Sequence, residues 1–274
     1  MKTSSPNPLI LDVIIPCYNA QMTLARAVES VLNQLIVQRL ILVDDASTDD
    51  TWQVIQRFAA QYPAKILAVK LHQNSGVAMA RNMGIWHSDA DLVAFLDADD
   101  AYQVAALEQV PTIFNFMPSM SLLRLKLVPH GLMTKYSHHP NFGQAWDMLQ
   151  MTVGGNMIFR RNILLLCGGF PTDQLFQKMG GEDGALGIAL ARRTLVGTLF
   201  ESQYPGVVHY CRAGMHAERL LNAYLFDKQD ETIRQADLDF AEAVTQKIVA
   251  RLDNALPVLM EQNIGRRPLL ITYA

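Results

Sequence analysis

A chain of 274 residues, half of them apolar and 18% charged, has the hydrophobic content for a large core, which excludes intrinsic disorder and leaves one large α/β domain or two small ones. The formal net charge is −3, from 23 basic and 26 acidic residues with no block of like sign, so a nucleic-acid partner held by a basic stripe is disfavoured. Three scattered cysteines, Cys17, Cys167 and Cys211, form neither a zinc pattern nor a disulfide framework and fit a reducing compartment.

Met1 to Pro8 is polar with two prolines, and the apolar stretch after it is broken by Asp12, which is not the pattern of a secretory signal. No run reaches the ~18 apolar residues of a membrane span. The expectation is a soluble cytoplasmic protein, with peripheral contact at the inner face of the membrane left open. Leu9 to Ile15 reads as a buried parallel strand stopped by Pro16. Leu24, Ala27, Val28, Val31 and Leu32 recur at helical spacing. Leu40 to Val43 is a second strand, ending in Asp44 and Asp45. Ser47 or Thr48 then caps a helix with Trp52, Ile55, Phe58 and Ala59 on its inner face, ended by Pro63. A strand from Ile66 to Leu71, a helix from Val77 to Trp86 and a strand from Leu92 to Leu96 follow. This alternation predicts an α/β fold: a Rossmann-like, mostly parallel sheet with helices on both faces, and ligands at the carboxyl ends of the strands.

The second half is less regular. Tyr102 to Phe114 reads as a helix, Leu122 to Val128 as a strand, Pro129 to Gln144 as a loop and Asn156 to Phe159 as a short strand. Glu182 to Arg193 reads as a helix and Gly206 to Tyr210 as a strand. Beyond residue 215 the pattern turns helical, with Ile233, Phe240, Val244, Ile248 and Leu252 in one apolar stripe. The chain therefore divides into 1–215 and a helical C-terminal extension, 216–274. The stripe reads as a helix packed on the core. A dimer interface or a membrane contact is the weaker alternative, because Asp237, Asp239 and Glu242 accompany it rather than a lysine-rich face.

Four motifs carry chemistry, each with a plainer alternative. Asp97-Ala98-Asp99-Asp100 follows a buried strand. Three carboxylates this close repel, and a hard cation such as Mg²⁺ or Mn²⁺ relieves them; a solvated turn with a helix cap is the alternative. In Asp44-Asp45-Ala46-Ser47-Thr48-Asp49-Asp50, a strand-end carboxylate suits a base N–H or a ribose hydroxyl, or the segment is a capped helix start. In Asn74-Ser75-Gly76 through Arg81-Asn82, Gly76 admits close backbone approach at a helix start that favours an anion, and Arg81 lies one turn on; alternatively Arg81 is an ordinary surface arginine. Gly180-Gly181-Glu182-Asp183-Gly184 places two acids at a helix start, either for the dipole or with Asp183 as a general base.

In this order, Ile14-Ile15-Pro16-Cys17-Tyr18-Asn19, Val43 to Asp49, Asn74 to Asn82, Phe95 to Asp100, Asn156 to Arg161, Gly168-Gly169-Phe170 and Glu182-Asp183 resemble a family-2 glycosyltransferase of the GT-A fold, over roughly residues 9 to 212. The resemblance implies that 1–215 binds a nucleotide sugar and performs catalysis, with the acceptor half from about residue 101. It implies that Pro16, Tyr18 and Asn19 line the base and ribose and that Asp45 accepts from the base, typically uracil. Asn74 and Gly76 belong to the same cradle, and Arg81 meets the base or the phosphates. Asp97, Ala98 and Asp99 form the DxD motif, Asp97 near the ribose and Asp99 near Mn²⁺ or Mg²⁺ on the diphosphate. His209, or else His216, is the candidate third metal ligand. Asp183 is the implied base beside Glu182, in an inverting transfer from a nucleotide-sugar donor, typically a UDP-sugar, to a carbohydrate, lipid-linked or other hydroxyl acceptor.

The sequence departs from the family where an acceptor-stacking aromatic commonly follows the Glu-Asp pair: Gly184 and Ala185 stand there. Trp146 or Tyr136 is a substitute, and the stretch containing His130, His138 and His139 reads either as an acceptor flap or as a plain surface loop. A pyrophosphorylase or a dinucleotide dehydrogenase needs a Gly-rich loop after the first strand, where Pro16-Cys17-Tyr18-Asn19 stands instead. A non-catalytic nucleotide-sugar binder is the alternative from another class.

Overall fold

The central strand β1 (Leu11–Cys17) is buried along its whole length. A computed structural model describes residues 9–212, 214–228 and 233–257. Asp12 interrupts the apolar run but not the strand. Its carboxylate accepts from Ser88 Oγ (2.7 Å), the Arg39 amide (3.1 Å) and Arg39 Nη2 (3.2 Å), so the buried charge is paired. Pro16 does not stop the strand either. The Ile14 carbonyl accepts from Leu96 on one side and the Cys17 carbonyl from Asp45 on the other. Pro16 faces the same side as Ile14, where the ladder with the neighbouring strand ends at Ile14–Phe95, so its missing N–H breaks no bond.

Helices and strands then alternate: α1 (Leu24–Leu32), β2 (Val37–Asp44), α2 (Thr51–Gln61), β3 (Ile66–Lys70), α3 (Val77–His87) and β4 (Leu92–Phe95). Downstream come β5 (Ala101–Tyr102), α4 (Val110–Phe116), β6 (Met120–Leu125), β7 (Leu127–His130), α5 (Thr134–Ser137), α6 (Phe142–Gln150) and β8 (Met157–Arg160). The chain continues through α7 (Arg161–Cys167), α8 (Gln174–Met179), α9 (Glu182–Arg193), β9 (Leu195–Leu199), β10 (Val207–Tyr210), α10 (His216–Phe226) and α11 (Gln235–Ala255). Seven strands form one sheet in the order β3-β2-β1-β4-β8-β6-β9, in which only β8 runs against the rest. A second, three-stranded sheet is ordered β5-β10-β7.

Period-two alternation sends Val13 and Ile15 to one face and Ile14 to the other. The first face packs on Leu24, Val28 and Val31 of α1, Ile55 of α2 and Leu221 of α10. The second packs on Ala80 and Ile85 of α3, Leu186 and Leu190 of α9, and Val244, Ile248 and Leu252 of α11. Both faces are thus covered, and α11 belongs to the main core. Only part of the sequence stripe is used, because Ile233 and Phe240 remain exposed. Residues 258–274 of the C-terminal extension lie outside the described residues. Among the described residues no helix is long and apolar enough to cross a membrane.

Three segments differ from the sequence reading. Between Tyr102 and Phe114 the helix starts only at Val110, where Pro111 in the first turn needs no amide partner. The run from Leu122 to Val128 is two strands in two sheets: the Lys126 amide donates to the Leu199 carbonyl, while its own carbonyl accepts from Val207. The expected loop from Pro129 to Gln144 contains α5 and the start of α6. Tyr136 is fully buried there, its hydroxyl bonded to Glu218 (2.9 Å) and Asn222 (2.8 Å). Trp146 is buried too, its indole N–H donating to the Leu127 carbonyl (2.8 Å). Neither ring offers a face for stacking.

Helix α3 lies close on β1 because Gly84 has no side chain: a Cβ there would collide with Ile14 Cγ2. Gly84→Ala should cost about 1–3 kcal/mol in urea unfolding. Gly143→Ala, in α6 with nothing within 4 Å of the added carbon, should instead gain about 0.5–1 kcal/mol.

Candidate active site

The loops that leave β1 and β2 are clipped together by side chains. The Asn19 amide donates to Ser47 Oγ (3.0 Å), and the Thr48 amide donates to Asn19 Oδ1 (2.9 Å). The Ala20 amide donates to Thr51 Oγ1 (2.7 Å). Ser47 and Thr48 are therefore occupied and do not cap α2, which begins at Thr51 behind Asp50. Asn19 and Ala46 both take left-handed backbone conformations at these tight turns. Tyr18 stands half exposed beyond β1, whereas Pro16 is buried inside the strand and offers no open surface.

Asp45 is turned to the start of α3. One of its oxygens accepts the Ser75 amide and the other the Gly76 amide, each at 2.8 Å. It thereby satisfies donors at a helix start that would otherwise lack partners. The exposed Asn74 leans on the Asp45 carbonyl at 3.4 Å. A base N–H would have to share a carboxylate that already holds this loop. Burial, aided by Asp44, pushes the Asp45 carboxyl above the usual range, against the two amides.

Arg81 is not a surface arginine. It is 3% exposed. Its Nη2 donates to Asp97 Oδ1 at 3.0 Å and its Nη1 to Glu182 Oε1 at 2.9 Å, while the guanidinium lies 5.2 Å from the centre of the Phe170 ring. The cation thus ties the end of β4 to the first turn of α9. Two residues without side chains leave it room: a Cβ on Gly154 would lie 2.6 Å from Arg81 Cζ, and one on Gly155 would lie 2.7 Å from Asp97 Oδ2. Burial works against the Arg81 charge, but Asp97, Glu182 and Asp183 outweigh it and hold the proton more tightly. Burial and then Asp183 raise the Glu182 carboxyl above its usual range, with Arg81 opposing. The half-buried Asp183, next on α9, is also raised by burial, against Arg81, its bond from the Gly184 amide (2.8 Å) and Arg124.

The rest of the acidic turn is fastened to the second sheet. Asp100 is fully buried; it shares a hydrogen bond with His209 Nδ1 (2.8 Å) and accepts the Tyr210 amide (3.0 Å). Asp100 outweighs burial and makes His209 more basic. Arg212 Nη2 meets Asp99 Oδ2 at 2.9 Å, and Arg26, stacked 3.4 Å from the centre of the Tyr210 ring, donates to the Asp99 carbonyl at 2.5 Å. Ala98 is buried between the two acids. The chemistry of Asp97, Asp99 and His209 suits a divalent cation, and His209 Nε2 is buried with no hydrogen-bond partner, as a nitrogen donor with its other ring atom held by a carboxylate would be. Among the described residues, no three His, Cys, Asp or Glu side chains are gathered closely enough to hold one as they stand. The side chain of His216 lies outside the described residues.

The fold thus brings Asp97, Asp99, Arg81, Glu182, Asp183 and His209 to one end of the sheet. The sequence reading missed Arg26, Arg212 and the clamp of Asp100 on His209. No local signal marks the two arginines, since only the fold joins residues 26, 99, 210 and 212. The burial of Arg81 did have a signal: Ala78 and Ile85, three before and four after it, share the inner face of α3. Arg81→Met leaves two carboxylates without their cation and should destabilise the protein by about 3–5 kcal/mol in urea unfolding; a loss below about 1 kcal/mol would contradict this account.

The sequence model described as Glycosyl transferase family 2 matches residues 12–164. A minor teichoic acid biosynthesis protein, GgaB of Bacillus subtilis, is 38% identical over 108 residues, which is 38% of this chain and 12% of that protein. WfaP of Escherichia coli, named as a UDP-Glc:α-D-GlcNAc-diphosphoundecaprenol β-1,3-glucosyltransferase, is 36% identical over 92 residues, 33% of this chain and 36% of WfaP. Matches to GgaB, GgaA and TuaG of Bacillus subtilis span 12%, 25% and 40% of those proteins' lengths. Among solved structures, S. aureus TarS 1–349 in complex with UDP-GlcNAc aligns with TM-score 0.56 at 18% identity, over 90% of this chain and 73% of that one. The mannosyltransferase PcManGT of Pyrobaculum calidifontis, in complex with GDP-Man and Mn²⁺, aligns with TM-score 0.59 at 21% identity, over 92% and 76%. The fold is that of the GT-A glycosyltransferases, and with more than half of its length matched the chain belongs to glycosyl transferase family 2.

Proposed function

We propose that this protein transfers a sugar from a nucleotide-sugar donor, a UDP-sugar in the first instance, to an acceptor hydroxyl with inversion at the anomeric carbon. The observation that carries the reading is the buried Arg81, which joins Asp97 of the acidic turn to Glu182 and so sets Asp183 beside the donor end of the sheet. Tyr18 and Asn19 border the nucleotide, with Pro16 supporting them from inside β1, and Asp45 fixes the Asn74–Gly76 loop against it. Asp97 and Asp99, with His209 as nitrogen donor, would hold Mn²⁺ or Mg²⁺. Bound there, the cation supplies positive charge against the diphosphate. Asp183 takes the proton of the acceptor hydroxyl as it attacks the face opposite the leaving group, and no enzyme nucleophile is needed. The names of the relatives point to acceptors in cell-surface polymer or lipid-linked glycan assembly. Residues 1–215 form the catalytic region in this reading, and of the two helices after it α11 supports α9 while α10 packs on α6.

A nucleotide that binds only the native state stabilises it by about 2.7 kcal/mol at a hundred times its dissociation constant. Thermal unfolding should rise with UDP, and more so with Mn²⁺. A rise with GDP alone would change the donor, and no rise with either nucleotide would overturn the reading. Asp183→Asn should abolish release of UDP from a UDP-sugar with the acceptor that supports it, while keeping the UDP-induced stabilisation; retained activity would exclude Asp183 as base. A base acts when ionised, so its raised affinity for the proton moves the acid limb of the rate profile upward, above the ~4 of an ordinary aspartate.

A further inference from the structure

Arg124, on β6, is 1% exposed, the largest fully buried side chain among the described residues. Its Nη1 is held by the Val153 carbonyl (2.9 Å) and Asn156 Oδ1 (3.1 Å), with the Gln150 carbonyl at 3.4 Å. Its Nε and Nη2 are buried and have no hydrogen-bond partner. An unsatisfied buried donor on a charged group is costly, and no ion pair offsets it here. The guanidinium instead lies against α9 at Gly187, where a Cβ would come 2.7 Å from Nη2. Gly187 follows Asp183 by one helical turn, so both stand on the same face of α9. A side chain at 187 would fill the place that the arginine takes.

We propose that Arg124 is a positioning residue for Asp183: its buried guanidinium, packed under the face of α9 that carries this carboxylate, is the charge that keeps Asp183 ionised. This rests on Asp183 being the base. The charged groups whose fields reach Asp183 are Arg81 from α3, Asp97 from the turn after β4, Glu182 from its own helix and Arg124 from β6. Arg81 is already shared between Asp97 and Glu182, and those two carboxylates repel a third negative charge. Arg124 is the cation not committed to another acid. Burial pulls its guanidinium down to about 10, and Asp183 is the neighbour that works the other way.

The test is a ¹³C NMR titration of the full chain labelled at aspartate carboxyls, with the Asp183 resonance assigned from Asp183→Asn. Arg124→Gln should move the Asp183 midpoint up by about one to three pH units, and Arg124→Lys, which keeps the charge without the fork, by less. Gly187→Ala retains the arginine but pushes Nη2 aside, and it too should raise the midpoint, so the proposal stays testable if Arg124→Gln does not fold. An unchanged midpoint in a folded Arg124→Gln or Gly187→Ala variant overturns it. The titration needs no donor or acceptor, so its failure is distinct from the failure of UDP to stabilise the wild-type protein, which would overturn the functional reading instead.

Discussion

The site depends on one buried cation. Arg81 sits between Asp97 and Glu182, which come from the end of a strand and the start of a helix far apart in the chain. Without a positive charge there, desolvation would drive at least one of those carboxylates to take up a proton or move into water. With it, each acid has an ionic hydrogen bond of 2.9–3.0 Å and a fixed direction. The bareness of Gly154 and Gly155 follows from the same requirement, since any side chain there would occupy the space of the guanidinium or of Asp97.

The charge pattern around this knot is graded. Asp99, nearer the mouth, is met by the exposed Arg212, a contact that water screens and that a competing charge can replace at little cost. Asp100, fully buried, is tied to His209 and to a backbone amide and has no such freedom. Three neighbouring acids therefore have three different tasks, decided by their partners: one is fixed by a buried arginine, one is met by an exposed arginine and one orients an imidazole. The sequence motif shows only that the three stand together.

The first hundred residues were legible because hydrophobic periodicity alone marks their helices and strands, even though Ser47 and Thr48 do not cap α2 and Pro16 does not stop β1. Leu24, Ala27, Val28 and Val31 all lie on the buried face of α1, and Glu182 to Arg193 is the helix that spacing predicts. The middle was not legible, because local signals there point both ways. The apolar run through Lys126 reads as one strand, and nothing local shows a change of sheet. The segment from Pro129 to Gln144 has loop composition, yet Tyr136 is anchored by residues of α10 more than eighty positions later. At the site, the identity of the acids was readable but not their partners. The bonds of Asp45 to the Ser75 and Gly76 amides and of Arg81 to Glu182 join residues about thirty and a hundred positions apart, which no local pattern shows.

Lys126 gives its amide to the Leu199 carbonyl at the edge of the large sheet and its carbonyl to Val207 of the small one, and a Cβ on Gly206 would run into that same carbonyl oxygen. One residue is thus hydrogen-bonded to both sheets. The small sheet carries His209, and the turn after β4 in the large sheet carries Asp97 and Asp99. Registration between the imidazole and the carboxylates is therefore transmitted through main-chain bonds, as in a rigid bracket. A change in the width of this gap would have to lengthen one of those two main-chain bonds or bend the chain at residue 126.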